Sequence, residues 1–413
     1  MTPRMPEVED ENEERTIVIK ANPARKVFRP LTKTLNKIPD DILNNFDLNE
    51  SIKSLPSNYN FEVHKTVWRI KSLEAKRVAL QMPEGLLPFS TRLCDIIERF
   101  TEADTVIMGD VTYGACCVDD YTATALNVDL LVHYGHSCLV PVDRMENIKV
   151  LYVFVDIKVD GAHFIDTIKH NFSKEDKLCF TSTVQFITTL HAAASALNKD
   201  GYDITIPQSK PLSRGEILGC TAPTVRDVDV LIYLGDGRFH LEAAMIANPN
   251  LRAFRYDPYE KKLTEEWYNH AALYEGRRLA INKSKESSVF GLILGTLGRQ
   301  GNPNVMNNFK CQLAKSGKSF VIVLLSEIYP DKLKMFKNVD SWIQIACPRL
   351  SIDWGSQFPT PLLSPWEAAV ALGQTEWDAA NKSGLLMDFY SNESLGPWTP
   401  NFKKECCGKG CKN

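Results

Sequence analysis

Short apolar runs alternate with amphipathic stretches from Lys76 to about Gly373, and this alternation limits what the chain can fold into. Such runs are typical of strands buried on both faces of a parallel sheet, and the stretches between them have helical spacing. The sequence therefore predicts an α/β fold of parallel sheets flanked by helices. The runs are Val78–Leu80, Val106–Met108, Leu130–Val132, Val150–Phe154, Val230–Tyr233, Leu292–Leu294, Val321–Leu325 and Trp342–Ile345.

An internal repeat indicates more than one such unit. Residues 128–135 resemble residues 228–235, and residues 339–346 form a weaker third copy. The aspartates of the three copies, Asp129, Asp229 and Asp340, are separated by 100 and 111 residues, about one small domain each. We therefore expect three similar α/β domains in a pseudo-threefold arrangement.

The predicted boundaries follow from the repeat and from changes in composition. Residues 1–38 are polar without apolar periodicity and are predicted to be a disordered tail. The further divisions are 39–165 for N-terminal helices and the first domain, 166–283 for the second, 284–395 for the third, and 396–413 for a cysteine-containing tail.

Composition and charge exclude several classes of protein. The net charge of −3 does not indicate a nucleic-acid-binding surface. The sequence contains no run of 18 apolar residues, so a membrane span is not expected. The stretch from Met1 to Arg15 is acidic, which is the wrong charge for a secretory or transit peptide. We expect a cytoplasmic protein, whose 11 cysteines are reduced thiols available for metal or redox chemistry.

Three distant cysteines each lie in a turn-rich segment next to an apolar run: Cys116, Cys220 and Cys347. The intervals of 104 and 127 residues are again of domain size, and no zinc ribbon is spaced in this way. Three thiolates can hold an iron–sulfur cluster and leave one iron open for substrate. The spacing predicts one ligand from each domain, converging on a shared point.

The other cysteines have plainer interpretations. Cys117 and Cys138 are interpreted as structural, and Cys94, Cys179 and Cys311 as core residues of helices or a strand. His133, His136 and Cys138 resemble part of a zinc site, but no partner pair follows, so packing or substrate contact is favoured. Three interpretations stay open for the tail cysteines: they bind iron, pass electrons, or have no function. These cysteines are Cys406, Cys407 and Cys411.

Six segments together resemble the diphthamide-biosynthesis family, and the resemblance covers roughly residues 38–400. They are 110–120, 133–138, 219–221, 235–240, 295–301 and 347–354. The resemblance implies three α/β domains around a pseudo-threefold axis, with a [4Fe-4S] cluster bound by Cys116, Cys220 and Cys347. It also implies that the fourth iron takes S-adenosylmethionine.

The resemblance implies an unusual radical transferase. Members cleave the sulfonium at the aminocarboxypropyl carbon, and the 3-amino-3-carboxypropyl radical adds to C2 of a histidine on translation elongation factor 2. Methylthioadenosine is released in this first step of diphthamide synthesis. Eukaryotic members pair a catalytic subunit with a related second subunit and receive electrons from a small zinc- or iron-binding third subunit. The long N-terminal tail and the full cysteine set favour the catalytic subunit of such a heterodimer.

Two loops are candidates for cofactor binding. The first comprises residues 295–301 between a predicted strand and helix, where free backbone N–H groups bind anions. Its Gly298, Arg299, Gln300 and Gly301 are predicted to contact the cofactor, with a tight turn and a surface arginine as the alternative. The second contains Asp236 and Arg238; its alternative is a structural turn with an internal ion pair.

Three questions stay open at this level. Arg349 either tunes the cluster electrostatically or pairs with Asp353. The enzyme could instead be a three-domain [4Fe-4S] dehydratase of the quinolinate synthase kind, with the open iron acting as a Lewis acid. The chain could also be a non-catalytic scaffold subunit, although its three cysteines weigh against that interpretation.

Overall fold

The computed structural model describes residues 37–109, 118–135, 145, 148–377, 385–387, 389–390 and 396–402. The predicted tail up to residue 36 and most of the cysteine-containing tail lie outside these residues. The strands are β1 Tyr59–Asn60, β2 Arg77–Gln81, β3 Asp104–Ile107, β4 Leu130–Tyr134, β5 Lys149–Val153, β6 Asp156–Ile157, β7 Lys177–Ser182, β8 Asp203–Thr205, β9 Val230–Leu234, β10 Arg252–Asp257, β11 Lys262–Glu266, β12 Val289–Gly295, β13 Ser319–Leu325, β14 Ser341–Ile345 and β15 Leu362–Leu363.

Helices precede the first sheet and connect most of the strands. They are α1 Asp40–Leu43, α2 Phe46–Ile52, α3 Val63–Leu73, α4 Ser90–Phe100, α5 Asp120–Ala125, α6 Gly161–Asn171, α7 Ile187–Lys199, α8 Phe239–Ala247, α9 His270–Lys285, α10 Pro303–Lys315, α11 Pro330–Lys334, α12 Pro348–Trp354 and α13 Pro365–Ala371. No helix in the described ranges combines the length and the apolar character needed to cross a bilayer.

Three sheets share one strand order. The first is β3-β2-β4-β5, the second contains β8-β7-β9-β10, and the third is β13-β12-β14-β15; all of these pairs are parallel. The second sheet is extended by the antiparallel edge strand β11. The prediction of an α/β fold with parallel sheets is confirmed, since every apolar run forms or overlaps a strand.

The repeated aspartates have the same structural role in each sheet. Asp129 Oδ2 accepts hydrogen bonds from the backbone N–H groups of Lys76 and Arg77, at 2.8 and 2.9 Å. Asp340 accepts in the same way from Ser288 and Val289, both at 2.9 Å, and these bonds hold the pKa of Asp340 below its ordinary value. Each carboxylate thus satisfies backbone donors where a neighbouring strand begins.

The second sheet repeats this contact and its register. Asp229 Oδ2 accepts from the backbone N–H of Lys177 at 3.0 Å. The residue after each repeat aspartate lies opposite the second residue of the first strand in its sheet. The pairs are Leu130 with Val78, Val230 with Leu178, and Ser341 with Phe290.

One predicted strand has different surroundings from those expected. The run in β13 was predicted to be buried on both faces, but among the described strands β13 lies at the sheet edge and pairs only with β12. Val321, Ile322 and Leu324 are 40%, 39% and 63% exposed. The prediction of burial is therefore wrong here, because an apolar run alone does not distinguish a central strand from an edge.

One core cluster connects the second and third sheets. Apolar side chains from β9, α8, β12, α10, β14 and α13 pack in one cluster, which includes Tyr233, Leu241 and Phe309. A buried ion pair lies beside it, in which Arg277 Nη2 is 2.7 Å from Glu367 Oε2. Glu367 also forms a capping box with Ser364, so this pair joins α9 to the start of α13.

Candidate active site

Loops from all three sheets meet at the carboxyl ends of their strands. Gly295 at the end of β12 and Ala346 after β14 line one cavity together with His240, which lies in α8 after β9. Gly135 after β4 and Thr183 after β7 line a second cavity, which shares His240 with the first. Ligand sites in parallel α/β sheets lie at such strand ends, so this region is the candidate active site.

Cys347 lies where β14 gives way to α12. It is the residue immediately before α12, and Pro348 occupies the first helical turn, where its missing N–H leaves no donor unsatisfied. The Cys347 carbonyl accepts hydrogen bonds from Gln344 Nε2 at 2.9 Å and from Leu350 N at 3.0 Å. The backbone of this cysteine is thus held on both sides, while its side chain is half-buried.

Cys220 lies at the tip of a tight turn. Leu218 and Thr221 exchange backbone hydrogen bonds of 2.9 and 3.3 Å, which leaves Gly219 and Cys220 as the two turn residues. Gly219 is packed against Phe239 so closely that a Cβ would lie 2.0 Å from the ring. The glycine before Cys220 is therefore required by this close approach.

Arg349 connects the two described cysteine segments. Its guanidinium donates to the Gly219 carbonyl at 3.1 Å and to the Phe239 carbonyl at 2.8 Å. It also lies over the Phe239 ring, 4.3 Å from the centroid. One side chain, two residues after Cys347, thus fixes the backbone of the residue before Cys220. Cys220 and Pro348 line a small cavity together, which places the two segments side by side.

Two carboxylates neutralise Arg349. Asp353 accepts from Nε at 2.9 Å, and Glu242 accepts from Nη2 at 2.7 Å. Burial alone would lower the pKa of Arg349, but these carboxylates raise it, so the guanidinium stays charged. Burial raises the pKa of Asp353 in opposition to the arginine. The structure confirms the pairing of Arg349 with Asp353, while a role in tuning a cluster stays a prediction.

The cavity that contains Cys347 has a volume of about 590 Å³. Apolar and aromatic groups dominate its lining, and Gln300, Arg349 and Asp353 supply polar groups. Sites for small molecules commonly have volumes of roughly 300–1,000 Å³ and this mixed character. The cavity is therefore large enough for a nucleoside-sized cofactor next to a cysteine.

The loop after β12 is tightly built. Gly298 has a φ of +54°, and a Cβ on Gly301 would lie 2.3 Å from the Gly295 carbonyl oxygen. Of this loop, Gln300 lines the cavity beside Cys347, together with Gly295. The glycines thus allow a close turn at the edge of the cavity.

Arg299 points from this loop to α5. Its Nε lies 2.8 Å from Asp120 Oδ1, and Nη2 contacts the other carboxylate oxygen. Asp120 is only 2% exposed, and Tyr121 lies under the guanidinium at 4.2 Å. The loop at the end of the third sheet is thereby attached to the helix that begins four residues after Cys116.

The second candidate loop faces the second cavity, of about 420 Å³. Arg238 pairs with Glu242 and Glu266 and donates to the Trp267 carbonyl at 3.0 Å. The internal ion pair between Arg238 and Asp236, considered as an alternative, is not formed among the described residues. Of the six predicted cofactor residues, Gln300 lines the first cavity, and Asp236 and Arg238 line the second.

Several predicted positions fall elsewhere. Cys116, Cys117, Cys138, His136 and the tail cysteines lie outside the described residues. His133 is buried, with Nδ1 3.1 Å from Gln81 Oε1. Within the described ranges, no group of three His, Cys, Asp or Glu side chains is arranged to hold a metal ion.

Three further cysteines were interpreted as core residues. Cys179 is fully buried, and burial raises the pKa of its thiol to about 12. Cys94 is half-buried, whereas Cys311 is exposed on α10, so the core interpretation of Cys311 is wrong.

Sequence reasoning missed two residues that organise the site. Glu242 in α8 and Asp120 at the start of α5 each bind an arginine from a distant loop. Their partners lie 107 and 179 residues away in the sequence. The two consecutive aspartates Asp119 and Asp120, shortly after Cys116, could have drawn attention to this position. Nothing in the sequence around them, however, indicates Arg299 as the partner.

Curated relatives match nearly the whole chain. The "2-(3-amino-3-carboxypropyl)histidine synthase subunit 1" of Nematostella vectensis is 58% identical over 369 residues, covering 89% of this chain and 78% of that protein. The proteins of the same name from Gallus gallus and Homo sapiens are 56% and 54% identical; they cover 90% of this chain and 90% and 84% of their own lengths.

Solved structures agree with these relatives. Dph2 from Pyrococcus horikoshii is 25% identical with a TM-score of 0.64, covering 77% of this chain and 92% of that one. Its structure with a 4Fe-4S cluster has a TM-score of 0.65 over the same shares. Residues 82–382 match the model of the diphthamide synthesis protein family. The chain therefore belongs to the diphthamide synthesis protein family.

Proposed function

We propose that this chain is the catalytic subunit of an Fe–S transferase. It transfers the 3-amino-3-carboxypropyl group of S-adenosylmethionine to C2 of a histidine on translation elongation factor 2. The observation that carries this proposal is the arrangement around Arg349, which joins the segments of Cys220 and Cys347 beside a cavity of about 590 Å³. Relatives named for the synthesis of this modified histidine, at more than half identity, support it.

The donor set of the site fits a [4Fe-4S] cluster. Cys220 and Cys347 are half-buried thiols, and their segments lie side by side. We propose that these two residues and Cys116 hold the cluster. The attachment of the Cys116 side of the chain through Asp120 and Arg299 supports the third ligand. When bound, the cluster supplies the electron that cleaves the sulfonium C–S bond of S-adenosylmethionine.

We propose that the loop of Gly298, Arg299, Gln300 and Gly301 contacts the cofactor. Gln300 reaches the cavity of Cys347, and the glycines allow the backbone to approach a ligand. Arg299 acts by fixing this loop to Asp120. Asp236 and Arg238 are the other two predicted cofactor residues. They line the adjoining cavity together with Phe239 and His240. The loops thus orient the cofactor while the surrounding walls exclude water.

A product assay tests this function. The reconstituted protein in its complex, supplied with S-adenosylmethionine and a reductant under anaerobic conditions, is expected to form methylthioadenosine. With elongation factor 2 present, mass spectrometry should locate one aminocarboxypropyl group on a histidine. A reduced, intact cluster that yields no methylthioadenosine would contradict the transferase and favour the dehydratase alternative.

We further propose that residues 39–165, 166–283 and 284–395 are three domains in a pseudo-threefold arrangement. The shared strand order, the equal register and the equivalent positions of Asp129, Asp229 and Asp340 support three copies of one unit. In this arrangement each unit contributes one of the three proposed cluster cysteines.

The relatives' designation as subunit 1 indicates a multi-subunit complex. We propose a heterodimer with a related second subunit, electron delivery by a small third subunit, and a cytoplasmic location with no direct binding of nucleic acid or membrane. The edge strand β13 supports the heterodimer. Monomeric proteins usually protect an exposed edge strand with charged residues or proline. The seven residues of β13 include neither.

Changing Leu324 to lysine is expected to weaken the heterodimer without unfolding the chain. Leu324 is 63% exposed in β13, and a lysine there places a charge in the proposed interface. Size-exclusion chromatography of the co-expressed subunits measures the effect, for which we expect at least about a tenfold loss of affinity. Leu279→Lys is the matched control, since Leu279 is 65% exposed on α9. Equal behaviour of the two variants would exclude β13 from the interface.

A further inference from the structure

The second cavity has features of a separate binding site. It lies at the carboxyl ends of strands from the first two sheets and has a volume of about 420 Å³. None of the described cluster cysteines lines it. It shares Phe239 and His240 with the cavity of Cys347, so ligands in the two cavities would be neighbours. A transferase needs this arrangement, because a donor and an acceptor must meet.

A single carboxylate distinguishes this cavity. Asp236 follows β9, is exposed to the cavity, and has no hydrogen bond or ion pair within the described part of the chain. The neighbouring Arg238 also lines the cavity, but its ion pairs are with Glu242 and Glu266. Asp236 instead raises the pKa of the Tyr259 hydroxyl, after the larger effects of burial and the contact with Tyr59. The cavity therefore presents a carboxylate that forms no ion pair with the described residues around it.

Flat and polar groups surround this carboxylate. Tyr59 and Tyr259 contribute aromatic walls and share a hydrogen bond, and Phe239 adds a third ring. Gln185, in the middle of the short 3-10 turn Val184–Phe186 after β7, supplies an amide. An imidazole has a flat ring for stacking, an N–H for a carboxylate and a second nitrogen for a donor. The lining matches that ligand.

We propose that the second cavity binds the acceptor histidine, with Asp236 accepting a hydrogen bond from its imidazole N–H. This inference rests on the proposed function and adds the acceptor's location to it. In this proposal Asp236, which was predicted to bind the cofactor, binds the acceptor instead. The competing occupant is the nucleoside part of the cofactor, and the following experiments separate the two.

The first experiment measures coupling in the reconstituted complex with elongation factor 2. Asp236→Asn removes the charge but keeps the size, and a hydrogen bond to a charged group is worth about 10- to 100-fold. We expect transfer at low acceptor concentration to fall by that factor, so more methylthioadenosine forms per group transferred. Glu260→Gln is the control, because this exposed carboxylate lies outside the cavity lining. Unchanged coupling, or a raised KM for S-adenosylmethionine alone, would overturn the proposal.

The second experiment needs no turnover. Elongation factor 2 with benzoylphenylalanine in place of the acceptor histidine is irradiated with the complex, and the crosslinked peptides are mapped. We expect crosslinks at residues 183–185 or at Tyr259. Crosslinks confined to Ile328, Leu350 or Trp354, which line the cysteine cavity, would place the acceptor there. Failure of the proposed function itself appears separately, as wild-type protein that forms no methylthioadenosine.

Discussion

Replacing Cys220 by alanine is expected to reduce the iron content from about four to fewer than about one per chain and to abolish transfer. The side chain is half-buried at a turn tip and contacts one small apolar cluster, so its loss removes a proposed ligand and only limited packing. Even the outer partners of metal ligands are worth about 10- to 100-fold, so we expect activity to fall more than about a hundredfold. Iron and sulfide analysis, with electron paramagnetic resonance of the reduced protein, measures the change.

The same result is expected for Cys347→Ala and for Cys116→Ala. Cys311→Ala is the matched control, because Cys311 is an exposed thiol on α10, far along the chain from each proposed ligand. It should keep its cluster and its activity. Full activity of the Cys220 variant within the complex would instead leave the scaffold interpretation standing.

Replacing Arg349 by methionine should have the largest effect on stability. The substitution removes the donors for two backbone carbonyls and leaves Asp353 and Glu242 without their cation. Because Arg349 is only 2% exposed, solvent cannot replace these contacts. Breaking a buried pair on one side costs about 3–5 kcal/mol, which urea unfolding measures as a loss in free energy of unfolding.

The Arg349 variant also tests whether the clamp aligns the cysteine segments. Any variant that still folds should take up less iron on reconstitution, because Gly219 is no longer fixed beside Cys220. Arg252→Met is the control: Arg252 is 60% exposed and pairs with Glu265 at the surface, so it should cost less than about 1 kcal/mol. Wild-type stability and iron content in the Arg349 variant would contradict this role.

The sequence was most informative about the parallel sheets. Apolar runs are detectable because buried strands need apolar side chains on both faces, and the repeat aspartates reflect a shared backbone contact. Strands with mixed composition were missed: β10 contains Arg252 and Arg255, and β11 is charged. The exposure of β13 depends on its place in the sheet, which pattern alone does not give.

The candidate site was predicted in part. Glycine or proline beside each cysteine indicated turns, and turns were found at Cys220 and Cys347. The partners of Arg299 and Arg349 were not predictable beyond Asp353, since Asp120 and Gly219 lie 179 and 130 residues away. The division into two cavities likewise arises only from the packing of Phe239 and His240 between them.

Anomalous diffraction at the iron absorption edge, from crystals of the anaerobically reconstituted protein, tests the central claim most directly. We predict one cluster of about four irons within bonding distance of the sulfur atoms of Cys116, Cys220 and Cys347, with the fourth iron facing the cavity of Gln300. Iron bound only to Cys406, Cys407 and Cys411, or separate metal ions at Cys220 and Cys347, would contradict it.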